Sequence, residues 1–281
     1  MTLYKDFTAR LKLLISKNPQ LITTTLSNVF TMRLVGNKTH GDLAEIAIAE
    51  FVNQYMYDFT AVHVGKDLYR AKSHEEDIKI IDEITKKEFP VSLKAYGYGF
   101  LQLSTDKHSA MYDYLSEVEG VLEEPEQINA VFNDLAFSAF SNVNVLCLIY
   151  DEKDAENLKY NILVFDYERA LSQTASIIKV TEGKGRIHPV YRFYDAEGGY
   201  ICEVRYGDKK ANALQRGFWT HTKNALKHFE SVTGGWVNYV QNPLLVTLFS
   251  HALLSTSQGH AEALEILKAD VEAQKRGANI P

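Results

Sequence analysis

The stretch Glu75-Glu76-Asp77-Ile78-Lys79-Ile80-Ile81, followed by Phe89-Pro90-Val91-Ser92-Leu93-Lys94-Ala95-Tyr96-Gly97, decides the reading of this chain. Both pieces are short and apolar, the pattern of neighbouring strands. The first carries a carboxylate at its entrance and the second a lysine in its middle. Ser92 and Lys94 lie two apart, so on a strand they leave from the same face. An acid from one strand and a lysine from the next can then meet at one point. That geometry suits a divalent metal and an activated water attacking a phosphodiester. An ordinary cross-strand ion pair is the competing reading of the same two residues.

Working outward, the apolar patterning predicts strands at 59–65, 68–72, 77–84, 90–96 and 100–104. Two helical stretches follow, around 110–119 and 126–140. Strands resume at 143–151, 160–165, 175–180, 187–195 and 200–206, the last two joined by the hairpin signal Ala196-Glu197-Gly198-Gly199. Upstream, Phe7, Leu11, Leu14 and Ile15 repeat with helical spacing over 3–17. Further helices are expected over Thr24–Leu34 and Leu43–Tyr57, the third apolar enough to pack on a sheet. From about 210 the chain reads as helical, ending in amphipathic stretches near 243–256 and 259–276. The expected fold is α/β: a mixed central β-sheet flanked by helices, with a helical C-terminal part. With no repeat and no linker-like run, one domain spanning 1–281 is expected. Its core covers about 40–180, a hairpin and helix about 185–230, and the C-terminal helices 243–276.

Composition narrows the classes of function. A formal net charge of −6 and a pI near 5.9 count against a protein that coats nucleic acid non-specifically, because phosphate binding needs local Lys and Arg. They leave room for a cleft with its own basic groups. No apolar run approaches the roughly 20 residues needed to span a bilayer, so no membrane partner is expected. Cys147 and Cys202 lie in apolar runs without Cys-x-x-Cys spacing, which reads as buried, reduced thiols in a cytoplasmic protein. The nine histidines show no zinc-site spacing, and neither a Gly-x-Ser-x-Gly elbow nor a Gly-x-x-x-x-Gly-Lys-Ser/Thr loop occurs.

The Asp77…Ser92-x-Lys94 arrangement resembles the PD-(D/E)xK nuclease superfamily, best known from type II restriction endonucleases. That pattern places an Asp on one strand and an acid-x-Lys on the next. Its members bind Mg²⁺ through carboxylates and use the lysine near the attacking water. Two positions depart from it: Glu76 stands where Pro is common, and Ser92 stands where an acid is usual. The missing acid is then expected from elsewhere. Family members often bring a glutamate from the helix before the catalytic strands, which favours Glu45; Asp106, Glu117 and Glu119 are alternatives. The resemblance implies Asp77 and Glu45 as metal ligands, Lys94 as the catalytic lysine, and Ser92 orienting water or phosphate by hydrogen bonding. Asp195 with Glu203-Val204-Arg205 is a weaker rival, since arginine does not give up its proton in proteins.

A second dense patch lies at 200–223. Read as a helix from near Lys210, it puts Asn212, Arg216, Trp219 and Lys223 on one stripe with Gln215 alongside. Arg, Asn and Gln make bidentate contacts to base edges, and lysines near a helix N-terminus suit phosphate. With Arg205 at the preceding strand end, and Tyr96 and Gln102 beyond Lys94, these residues form the expected DNA-binding set. A solvated amphipathic helix is the competing reading. The expected function is a Mg²⁺-dependent, sequence-specific endodeoxyribonuclease acting on double-stranded DNA. By analogy with palindrome-cutting enzymes, it would act as a homodimer. A DNA-binding protein with a degenerate, non-cutting core and a repair nuclease without sequence preference are the alternatives.

Overall fold

The computed structural model describes residues 2–31, 40–64, 77–103, 110–138, 143–183, 186–206 and 217–247, with a few more between 265 and 276. Three helices open the chain: α1 (Leu3–Lys17), α2 (Pro19–Thr31) and α3 (His40–Tyr55). Thr2 caps α1 by accepting the Lys5 amide, and Tyr4, Phe7, Leu11 and Ile15 form its buried face. The second helix begins earlier than its apolar pattern implies, with Pro19 in the first turn, where the missing N–H costs nothing.

The central sheet starts as an antiparallel meander of β1 (Phe59–His63), β2 (Ile78–Asp82) and β3 (Glu88–Tyr96). After β3 the chain leaves this sheet through Gly97–Gly99 and enters a second one as β4 (Phe100–Leu103). Gly97 is required there, because a Cβ would lie 2.9 Å from the Tyr150 ring, and Gly99 takes a φ of +117° that side chains resist. Helices α4 (Met111–Glu117) and α5 (Pro125–Asn133) carry the chain back. That long crossover lets β5 (Val145–Asp151) lie parallel to β3. Strand β6 (Lys159–Val164) pairs antiparallel with β5.

After α6 (Tyr167–Gln173), the second sheet is completed by β7 (Ser176–Val180), β8 (Val190–Tyr194), β9 (Tyr200–Arg205) and β10 (Gly217–His221). Its order is β4-β10-β9-β8-β7, antiparallel throughout. Helix α7 (Thr222–His228) returns the chain to β6, on which the short strands β11 (Glu230–Ser231) and β12 (Val237–Asn238) pair.

The result is three layers: α1–α3, the central sheet, and the second sheet with its helices. Strand β5 shows why. Leu146 and Leu148 enter the core under α1–α3, whereas Val145, Cys147 and Ile149 enter the core against the second sheet. A strand buried on both faces reads as a continuous apolar run, as Val-Leu-Cys-Leu-Ile does here. Among the described residues β1 is the edge strand, and Asn53 of α3 covers its outer side. Its Nδ2 donates to the Ala61 carbonyl at 2.9 Å and its Oδ1 accepts the Ala61 amide at 2.8 Å.

The mixed central sheet with helices matches the sequence expectation; a second antiparallel sheet, rather than helices alone, covers its other face, and the C-terminal part is not the helical one expected. From Val190 to Asn238 the described chain is largely strand. In particular, the helix expected across 210–223 is a strand over Gly217–His221, and only Thr222–His228 is helical. Phe218 and Thr220 are fully buried with Trp219 half-buried between them, a period of two that a helix would break. Pro243–Thr247 is helical, as are the few described residues between 265 and 276; residues 248–264 and the candidate strand 68–72 lie outside the described residues. Helix α6 and the strands β11 and β12 had no counterpart in the sequence reading. Cys147 and Cys202 are both buried and unbridged. Among the described residues no helix is long and apolar enough to cross a membrane.

Candidate active site

Asp77 and Ser92 meet where β2 begins. Asp77 precedes β2, and its Oδ2 accepts the Ser92 hydroxyl at 3.0 Å and the Leu93 amide at 2.6 Å. The Asp77 amide donates to the Val91 carbonyl at 3.3 Å, so the acid is held to β3 by backbone and side chain alike. Ser92 is itself anchored on the other side, its amide donating to the Asn144 carbonyl at 2.8 Å. Lys94 follows on the same face of β3, about 7 Å further along at strand spacing. Its register partner on β5 is Cys147, and Ser92 pairs with Val145, both in the core that faces the second sheet. The Cys147 thiol is pushed up to about 12 by burial, with the Lys94 ammonium pulling it the other way. A half-buried cation therefore stands beside a neutral, inert thiol.

Glu45 reaches this point from α3. Burial pushes its carboxyl above the usual carboxylate range. A 2.9 Å hydrogen bond with His63 Nε2 opposes that shift, and the negative charge of Asp77 adds to it. Two carboxylates thus feel each other across the gap between α3 and the start of β2. Their repulsion is what a cation would relieve. Among the described residues there is no group of three His, Cys, Asp or Glu able to hold a metal. Two protein carboxylates fit Mg²⁺, which keeps several waters and takes the rest of its shell from substrate phosphate.

The other predicted residues divide into clusters. Tyr96 continues the Ser92–Lys94 row at the end of β3. Gln102, Trp219 and Arg205 meet on the outer face of the second sheet: Gln102 pairs with Trp219, and the Arg205 guanidinium lies 4.7 Å from the Trp219 ring centre. Lys223 lies on α7, away from Trp219, with its ammonium 5.6 Å from the Tyr98 ring. Lys210, Asn212, Gln215, Arg216 and Asp106 lie outside the described residues. Since Trp219 is on a strand and Lys223 on the next helix, the single helical stripe does not form. Glu117 and Glu119 are exposed at the end of α4.

The rival acid pair is accounted for structurally. Glu203 is 1% exposed and receives the Nε of both Arg192 and Arg205, whereas Asp195 accepts Lys227 at 2.7 Å and the Gly199 amide at 2.5 Å. These are two separate ion clusters. A cavity of about 1040 Å³ lies near the opposite end of β3, between Tyr4, Lys5, Phe89, Pro90, Asp166 and Tyr167, and contains none of the candidate residues. His63, read from the sequence as structural or surface, bonds Glu45 across 18 residues of sequence. The sequence reading missed Lys153, which faces Tyr98 from beyond β5.

Comparison with protein-family models, curated proteins and solved structures found no match. The class of the site is therefore argued from its geometry.

Proposed function

We propose that this chain is a Mg²⁺-dependent endodeoxyribonuclease that hydrolyses phosphodiester bonds of double-stranded DNA at specific sites, as a type II restriction enzyme does, and that it works as a homodimer. One observation carries the reading. An aspartate at the start of one strand is hydrogen-bonded to the serine of Ser-x-Lys on the next, and a glutamate on the helix before the strands feels its charge, an arrangement similar to the one the PD-(D/E)xK resemblance implies.

The chain's own residues would act as follows. Asp77 and Glu45 hold the cation, Asp77 being fixed in position by Ser92 and the Leu93 amide. When bound, Mg²⁺ acidifies water and neutralises charge on the phosphate. Lys94, a pure donor while charged, stabilises the negative charge that builds on the phosphoryl oxygens and orients the attacking water. The packed sheet beneath, through Cys147 and Val145, fixes the floor of the site and excludes solvent from that side.

The test is digestion of duplex DNA with Mg²⁺ or with EDTA, alongside the Lys94→Ala protein. Discrete fragments that require Mg²⁺ and fall by 10²-fold or more in Lys94→Ala, with DNA binding kept, are expected. Full cutting by Lys94→Ala would remove this active site. Ser92 supports a second reading, a DNA-binding protein whose core no longer cuts. Its hydroxyl bonds Asp77 where the family pattern has a further carboxylate. Intact DNA together with a retarded band in a shift assay would favour it.

A further inference from the structure

Strand β3, which carries Lys94, runs directly into the second sheet, and the junction carries an unusual group of side chains. Tyr98, at the tip of the Gly97–Gly99 bend, is 61% exposed, and Phe100, the first residue of β4, is 50% exposed. Two ammonium groups flank Tyr98, that of Lys153 at 5.0 Å and that of Lys223 at 5.6 Å from its ring centre. The His221 ring meets Tyr98 edge-on at 4.8 Å and Phe100 at 5.7 Å. Burial pushes His221 below its usual range, so near neutral pH it is an uncharged ring.

Behind this tip, Arg205 lies against both Phe100, at 4.8 Å, and Trp219, at 4.7 Å. Its Nε is taken by Glu203, a carboxylate buried in the middle of the sheet. Glu203 thus orients an arginine that would otherwise be mobile, at the cost of burying one charge between two. Across the same row, the Trp219 Nε1 and Gln102 Nε2 donors are buried with no hydrogen-bond partner among the described residues. Unpartnered donors of this kind call for acceptors.

Aromatic faces interleaved with cations are the chemistry of base stacking and phosphate pairing. The shape of the face selects the form of the nucleic acid. Five antiparallel strands about 4.8 Å apart make a surface about 19 Å across, wider than the major groove at about 12 Å. Such a face does not enter a duplex groove. Bases reach it only when they are unpaired.

We propose that the Tyr98 tip and the adjoining face of the second sheet bind single-stranded DNA, stacking its bases on Tyr98 and Phe100 and pairing its phosphates with Lys153, Lys223 and Arg205. The track begins at the bend that ends the strand of Lys94, so it rests on the nuclease reading and extends it. The duplex substrate of that reading would then carry unpaired nucleotides beside the scissile phosphate.

The experiment is binding of a labelled oligo-dT and a duplex of equal length to the full chain in EDTA, where cutting cannot intervene. The chain has two tryptophans, so Trp236→Phe leaves Trp219 as the reporter. Oligo-dT is expected to bind at least as tightly as the duplex and to quench Trp219. The double variant Tyr98→Ala, Phe100→Ala should lose tenfold or more in oligo-dT affinity. Should that variant fold poorly, the exposed Lys153→Ala serves instead, lowering both the affinity and the steepness of its salt dependence. Binding of duplex alone, or oligo-dT binding that neither quenches Trp219 nor responds to these substitutions, would overturn the proposal. Mg²⁺-dependent cutting is scored separately. Cutting without oligo-dT binding removes the track and leaves the nuclease, and oligo-dT binding without cutting does the reverse.

Discussion

Ser92 donates its hydroxyl to Asp77 at 3.0 Å, at the one position where the motif it resembles carries an acid. The hydroxyl gives Asp77 a neutral partner, so the site folds without a second carboxylate pressed against the first. Ser92→Asp would place two like charges about 3 Å apart in a half-buried site, where both resist ionising together. The variant is expected to melt several degrees below the parent without divalent cation and to regain most of that loss in millimolar Mg²⁺, by linkage. Thermal melts with and without Mg²⁺ read this directly. A variant whose melting point ignores Mg²⁺ would show that no cation binds between Asp77 and Glu45. If the proposed cation site is right, residue 92 would set a balance between stability without metal and affinity for metal.

At the scale of elements, two local devices hold the fold. Asn53 supplies β1 with a mimic of a missing strand, so Asn53→Ala uncovers both groups of Ala61 and is expected to cost about 1–2 kcal/mol. Asn53→Asp keeps the acceptor but not the donor and should fall between. Denaturant melts give the energies, and light scattering should show self-association through the bared edge. The β8–β9 turn is tied to α7 by Asp195, whose carboxyl the Lys227 ammonium holds below the usual range of 3.8. A depressed carboxylate adds stability above pH 3.8, and that share is lost as pH falls through its folded pKa. His228 lies 3.8 Å from the same carboxylate and burial lowers its own pKa, so Lys227 is the main partner at neutral pH. Asp195→Asn should melt a few degrees lower at pH 7, with the gap closing below pH 3.8. A gap that persists at pH 3 would assign the loss to packing rather than charge. These devices also show what local sequence encodes. Strands β2, β3, β5 and β6 were legible because each is an apolar run of strand length, and Asp77, Ser92 and Lys94 came with them. Strand β10 was not, because Asn212, Arg216, Trp219 and Lys223 have helical spacing, while the pairing of Trp219 with Gln102 and Glu203 depends on strands far away in sequence. The contacts of Glu45 with His63, and of Lys153 with Tyr98, are equally nonlocal, so no spacing announces them.

For the molecule as a whole, the two sheets divide the work that the proposed reaction needs. Helix α3 brings Glu45 within electrostatic reach of Asp77 at the edge of the central sheet, with Lys94 on the neighbouring strand. The second sheet holds Arg192 and Arg205 on the buried Glu203, while Lys223 of α7 and Lys153 beyond β5 meet at Tyr98. On the proposed reading, a chain of net charge −6 would hold a polyanion on one face while the rest of its surface repels it. With one proposed site per chain and two strands in a duplex, cutting both in one binding event would need a second copy related by a two-fold axis. This can be read from subunit mixing. Parent protein re-equilibrated with an excess of Lys94→Ala should consist mostly of mixed dimers with a single working site. On supercoiled plasmid, such a mixture is expected to accumulate nicked circles, where the parent alone gives linear DNA. A mixture that yields linear DNA in simple proportion to the parent present would mean that one chain cuts both strands in turn, and the two-fold arrangement would fall while the active site stood.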